Sequence, residues 1–164
     1  MIKLLVLDLD GTVWDHPDAS SLQPPYTRLD DDVAVDSRGI RVTLARGVRW
    51  FLEKVYGRVA LAVCSWNKWG NAFELLKTFD LHWFFGYLGI EPHPYKYLVF
   101  KKIIEWYRNV YGGGVGAEEI LYVDDRRIHL DEIYEHIGGV RFIQMGVDVR
   151  DFYELYGLIK EDLA

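Results

Sequence analysis

Short apolar runs alternate along the chain with longer stretches in which apolar residues recur at helical spacing, the pattern of repeated β-α units around a parallel sheet. Runs at Lys3–Leu7, Val59–Cys64, Phe85–Gly89, Ile120–Val123 and Arg141–Gln144 predict five strands. All are short and nearly continuous in apolar residues, as strands covered on both faces require. Helices are predicted over Gly47–Tyr56, Lys68–Phe79, Tyr95–Tyr111, Ile128–Ile137 and Asp151–Ile159, three of them stopped by Gly57, Gly112 and Gly138. The expected fold class is α/β, with a five-stranded, mostly parallel sheet between two layers of helix.

Asp15–Arg46 breaks the alternation. Pro17, Pro24 and Pro25 oppose regular structure at first, and then Val33–Val35 and Ile40–Thr43 flank Asp36-Ser37-Arg38-Gly39, which predicts a β-hairpin. This segment is expected to be a flap near the end of the sheet rather than a domain. With 164 residues, the chain is expected to build one core and one domain over 1–164.

Composition narrows the setting. A net charge of −6 argues against a nucleic-acid groove. The first apolar run is far too short for a signal or membrane segment, and nothing later reaches the length of a span. One cysteine, Cys64, excludes an intramolecular disulfide, and no Cys/His set has zinc spacing, so the cytoplasm is the expected compartment, with neither membrane nor nucleic acid as partner.

Candidate chemistry gathers after the strands, where ligands of open parallel sheets bind. The first strand is followed by Asp8-Leu9-Asp10-Gly11-Thr12, the second by Ser65-Trp66-Asn67 and the fourth by Asp124-Asp125. Asp8 and Asp10, two apart in extended chain, aim to one side. Four carboxylates at the end of an apolar sheet need a cation, and an all-oxygen set favours Mg²⁺, which leaves positions for water and a phosphate. A carboxylate facing a phosphoryl group can attack it, so Asp8 is expected to be a nucleophile and Asp10 a general acid/base. Thr12, Ser65 and Asn67 are candidate donors to phosphoryl oxygens, and Lys96, opening the helix after the third strand, is the candidate to offset charge.

These residues resemble the haloacid dehalogenase superfamily of phosphotransferases: DLDGTV, a hydroxyl-bearing turn, a later lysine and a DD pair correspond to its four motifs. More narrowly, DLDGTVW, VDSRGIRVTL, the stretch from CSWN through LLKTFDL to PYK, and LYVDDRR are similar to the magnesium-dependent phosphatase family and its microbial relatives. The resemblance implies a three-layer, Rossmann-like sheet, with Asp8 as nucleophile, Asp10 as acid/base, Ser65 as phosphate ligand and Lys96 as charge stabiliser. It further implies magnesium on the Asp8 side chain, the Asp10 carbonyl and Asp124, with Asp125 nearby. Phosphorylated sugars, other small phosphate esters, sugar-modified amines and phosphotyrosine, free or on a phosphoprotein, are the substrates it implies. Asn67 departs from the pattern, standing where relatives carry arginine or another residue.

Only 30 residues separate Ser65 from Lys96 and 52 separate Thr12 from Ser65, too few for a large cap. An open site is therefore expected. Trp14, Trp66 and Trp69 are candidate pocket walls, Trp14 foremost; Arg126 and Arg127 either recognise a second anion or cap the strand end. A cysteine phosphatase is excluded, because Gly70 stands where its phosphate-cradling arginine is required six residues after Cys64. A signalling receiver should carry its acceptor after the third strand, which here reads Ile90-Glu91-Pro92. A catalytically idle scaffold of the same fold remains the other alternative.

Overall fold

The computed structural model describes residues 1–164. Five parallel strands form the central sheet: β1 (Leu4–Leu7), β5 (Ala60–Trp66), β6 (Tyr87–Glu91), β7 (Ile120–Asp124) and β8 (Arg141–Gln144), in the order β6-β5-β1-β7-β8. Three more strands, β2 (Thr27–Arg28), β3 (Val33–Val35) and β4 (Arg41–Thr43), make a small antiparallel sheet between β1 and β5 in the chain. The helices are α1 (Val48–Val55), α2 (Trp69–Thr78), α3 (Lys96–Tyr111), α4 (Leu130–His136) and α5 (Phe152–Ile159). None is long and apolar enough to cross a membrane.

Strand alternation splits the core in two. Leu5, Leu7, Leu61, Val63, Leu121 and Val123 face α1, α2 and α5 in one cluster of 35 buried residues, whereas Leu4, Val6, Ala62, Cys64, Ile120 and Tyr122 face α3 and α4 in a second cluster of 13. Burying both faces explains the absence of polar residues inside β1. The chain runs from β1 outward to β5 and β6, then returns across to β7 on the other side of β1. That reversal opens a crevice at the carboxyl ends of β1 and β7.

Several predicted bounds shift. The third strand begins at Tyr87 rather than Phe85, because Phe84 and Phe85 bury their rings around a short helical turn, His82–Phe84. Apolar content cannot distinguish that from a strand. The second strand extends past Cys64, with Ser65 and Trp66 paired in register with Ile90 and Glu91, so these residues close a strand instead of forming the turn after it. The fourth helix begins at Leu130 instead of Ile128. All five core strands are parallel, and the expected hairpin is β3 and β4 with β2 added on its edge.

Candidate active site

β1 and β7 lie side by side in register, Leu7 opposite Val123, so Asp8 and Asp124 leave the sheet together. One carboxylate oxygen each from Asp8, Asp124 and Asp125 lies within 4.8 Å of the others. Lys96, at the first turn of α3 and 2% exposed, reaches between two of them: its Nζ donates to Asp8 Oδ1 at 2.8 Å and to Asp124 Oδ2 at 2.9 Å. Gly11 is what allows the approach from the β1 side. Its φ is +71°, and a Cβ there would stand 2.8 Å from the Asp125 carboxyl carbon.

Electrostatics divides the acids. Burial, reinforced by the charges of Asp124 and Asp125, pushes the Asp8 carboxyl well above the usual carboxylate range despite Lys96. Burial also pushes on Asp124, but the Lys96 ammonium, the Tyr122 hydroxyl and the Arg126 amide together hold it below that range. For Lys96 the two carboxylates outweigh desolvation, so its pKa rises and it stays charged. Asp125 is raised, chiefly by partial burial.

The expected fourth acid is turned away. Asp10 Oδ1 accepts from the Trp14 indole at 2.8 Å and the Ala19 amide at 3.1 Å, and Oδ2 from Asn67 Nδ2 at 2.9 Å. Its carboxylate therefore stands outside the group of three, at a wall between two cavities, and burial raises its pKa against these donors. Thr12 also differs from expectation. Fully buried, its hydroxyl is 3.1 Å from Asp8 Oδ2 and accepts from the Asp125 amide at 3.0 Å, tying the two loops together rather than facing a ligand. Asn67 is likewise committed, joining Asp10, Ser65 Oγ at 3.4 Å and Ser20 Oγ at 2.7 Å. Ser65 is buried beside it.

Residues 1–152 match the family described as Acid Phosphatase. The chain belongs to this family. It is 27% identical over 133 residues to the human magnesium-dependent phosphatase 1, covering 80% of this chain and 72% of that protein. Its fold is shared with a haloacid dehalogenase superfamily hydrolase of subfamily IA from Geobacter sulfurreducens, with a TM-score of 0.66 at 20% identity, over 96% of this chain and all of that one. A phosphatase-domain structure from Bacteroides fragilis, solved with Mg, has a TM-score of 0.57 at 20% identity over 88% of this chain and 36% of that one.

A small cavity of about 110 Å³ is walled by Asp8, Asp10, Lys96 and Asp125. It shares Asp10, Pro17, Trp66 and Arg126 with a larger one of about 410 Å³. Trp66, 45% exposed, thus walls both, whereas Trp14 is 0% exposed and acts through its N–H on Asp10, and Trp69 stacks on Phe73 along α2. The flap contributes Pro17, Asp18 and Ser20 to these walls; β2, β3 and β4 contribute nothing. Asn71 fastens that loop to α2, donating to Ala19 O at 3.0 Å and Leu22 O at 2.7 Å. A larger hollow of about 610 Å³ lies at the opposite end of the sheet among Tyr56, Trp83 and Tyr111, with no acidic side chain in its walls.

Tyr122 is the residue that sequence reasoning missed. It lies on the same strand face as Asp124, two positions before it, and its hydroxyl donates to Asp124 Oδ2 and lies 3.5 Å from Lys96 Nζ. The i, i+2 spacing within a strand was the available signal. Ser20 and Asn71 carried none, since their partners lie 47 to 52 residues away.

Proposed function

We propose that this protein is a magnesium-dependent phosphomonoester hydrolase, working as one domain in the cytoplasm through an aspartyl-phosphate on Asp8. The observation that carries the reading is the convergence of Asp8, Asp124 and Asp125, two of them buried and bonded to Lys96. The residues fit a hard cation: the donors are all oxygens, they converge, and they exceed the available positive charge. Asp8, Asp124 and Asp125 would hold Mg²⁺, with the Asp10 carbonyl implied by resemblance. When bound, the ion supplies positive charge against the phosphoryl oxygens and orients them for in-line attack.

Asp8 attacks phosphorus, and the bond to the ester oxygen breaks as the acyl-phosphate forms. Asp10, poised at the junction of the two cavities with a raised pKa, gives its proton to the departing alkoxide. Asp10 then takes a proton from water as that water attacks phosphorus, which breaks the acyl-phosphate bond and releases inorganic phosphate. Lys96 keeps Asp8 oriented and offsets charge in both transition states. Ser65 supports the phosphoryl group, and Trp66 walls the leaving-group side. Sugar phosphates, other small esters and phosphotyrosine are the substrates to compare.

Hydrolysis of an aryl phosphate tests the reading. Activity should vanish with EDTA and return with Mg²⁺, and Asp8→Asn should remove it while leaving the circular dichroism spectrum unchanged. Brief exposure to substrate should leave a phosphoryl adduct on the Asp8 peptide by mass spectrometry. Full turnover by Asp8→Asn protein would remove Asp8 as nucleophile.

A further inference from the structure

The 410 Å³ cavity beside the acids has a composition that a simple alkyl or aryl leaving group does not require. Trp66 is its sole apolar side chain apart from Pro17 and Pro92, and the rest of the wall is polar or charged. Two cations face it, Lys68 from the residue before α2 and Arg126 from the loop after β7. They arrive from elements 58 positions apart in the chain, so no local pattern explains their meeting.

Neither cation is used within the fold. Elsewhere, Lys3, Lys102, Arg141 and Arg150 are paired with Glu119, Glu91, Asp162 and Glu154, whereas Arg41, Arg108 and Lys160 also lack a carboxylate partner but line none of these cavities. Arg127, adjacent to Arg126, lies over the Phe142 ring, 5.5 Å from its centroid. The Lys68 and Arg126 side chains make no hydrogen bond or ion pair; their backbone amides donate to Ser20 Oγ and Asp124 Oδ1, and the Lys68 carbonyl accepts from the Ala72 amide. Their ammonium and guanidinium groups have no carboxylate partner on a chain of net charge −6.

Two acids, Asp10 and Asp18, share the wall. Asp10 already accepts from Trp14, Ala19 and Asn67. Asp18 likewise accepts from the Ser20 amide at 3.0 Å. Two cations and two carboxylates therefore line the cavity, but only the carboxylates are hydrogen-bonded within the fold, which leaves both cationic side chains available to a ligand. The cavity opens directly onto the one holding Asp8, with Arg126 and Trp66 in both walls.

We propose that Lys68 and Arg126 form a subsite for a second anionic group, a phosphate or carboxylate, on the leaving group of the phosphomonoester. The proposal rests on the phosphomonoester hydrolase reading and narrows its substrate class to esters that keep a negative charge after the reacting phosphate has gone. Arg126 supplies a fork of donors suited to either oxyanion, and Lys68 a point charge. Asp18 on the same wall disfavours a third negative charge and leaves room for a hydroxyl or an amine.

Two matched sets of probes test it. Propyl phosphate is compared as a substrate with esters of two to five carbons bearing a terminal carboxylate or a terminal phosphate, which separates the two anion sources. In parallel, propylphosphonate and propane-1,3-bisphosphonate, which cannot be hydrolysed, are titrated into the Mg²⁺-loaded protein by calorimetry. At low ionic strength the second anion should improve kcat/KM, through KM, and Kd by roughly tenfold at the best spacer length, with the gain shrinking as salt is added. In Arg126→Gln and Lys68→Gln the ratio of doubly to singly anionic probe should fall, and in the double variant it should approach one. Equal values for singly and doubly anionic probes at every spacer length, or a ratio untouched by both substitutions, would overturn the subsite. If the bisphosphonate preference holds but no ester is turned over, hydrolysis is the claim that fails and the subsite stands.

Discussion

Replacing Lys96 by methionine keeps most of the side-chain volume and takes the ammonium from between two buried carboxylates. Lys96 Nζ lies 2.8 Å from Asp8 and 2.9 Å from Asp124, and all three side chains are more than nine-tenths buried. Breaking a buried ion pair by removing one partner costs about 3–5 kcal/mol, because the other charge is left without compensation. For a chain of this size that corresponds to a fall in Tm of about 6–20 °C. The assay is thermal unfolding followed by circular dichroism at pH 7 in EDTA. The sign with pH follows from Asp8, whose carboxyl is already raised by burial and loses its restraining cation in the variant. The folded variant then binds a proton that the unfolded chain releases above its ordinary carboxylate pKa. Stability is regained as pH falls toward that value and lost as pH rises through the folded one. The deficit relative to the parent should therefore be largest near neutrality and narrow below about pH 5. Adding Asp8→Asn should recover part of it. A fall in Tm under about 2 °C at pH 7, or a deficit that widens on acidification, would refute the electrostatic account of this site.

Further outcomes follow from the same geometry. Gly11→Ala puts a methyl group against the Asp125 carboxylate in a left-handed backbone, and turnover of an aryl phosphate should drop at least tenfold, with a loss of roughly 1–3 kcal/mol in urea unfolding. Trp14→Phe removes a donor that lowers the Asp10 pKa, so the alkaline limb of the kcat profile should move to higher pH in protein that remains folded by circular dichroism. In the flap, three backbone amides and Arg38 hold the shielded Asp36 carboxyl down at about 2. Its contribution is present above the ordinary carboxylate value and is lost as pH falls toward 2. The protection factors of the Gln23, Arg38 and Ile40 amides, taken against intrinsic exchange at each pH, should fall over that range, and Asp36→Ala should lower them already at pH 7.

How much of this was legible in the sequence depended on how far apart the interacting residues stand. The five core strands and five helices were readable because sheet burial and helix periodicity are local consequences of where apolar residues fall, and each two-faced strand advertises itself by lacking polar residues. The run Asp8–Thr12, the Asp124-Asp125 pair and Lys96 were readable as strand-end chemistry for the same reason. The direction each side chain takes was not. Asp10 was expected to join the other acids, yet the buried indole of Trp14 and the amides of Ala19 and Asn67 turn it outward. Thr12 was expected to meet the ligand and instead bridges Asp8 and Asp125 across 113 positions of chain. Of the three tryptophans expected in a pocket wall, Trp66 lines it, whereas Trp14, the foremost candidate, is fully buried behind Asp10. The pairing of Lys68 with Arg126 across one cavity has no sequence signature at all. Local pattern determines which residues reach the carboxyl end of the sheet, because that follows from backbone period and burial. Only tertiary packing decides which of them face one another, because that depends on partners brought together by β1, β5 and β7 lying side by side.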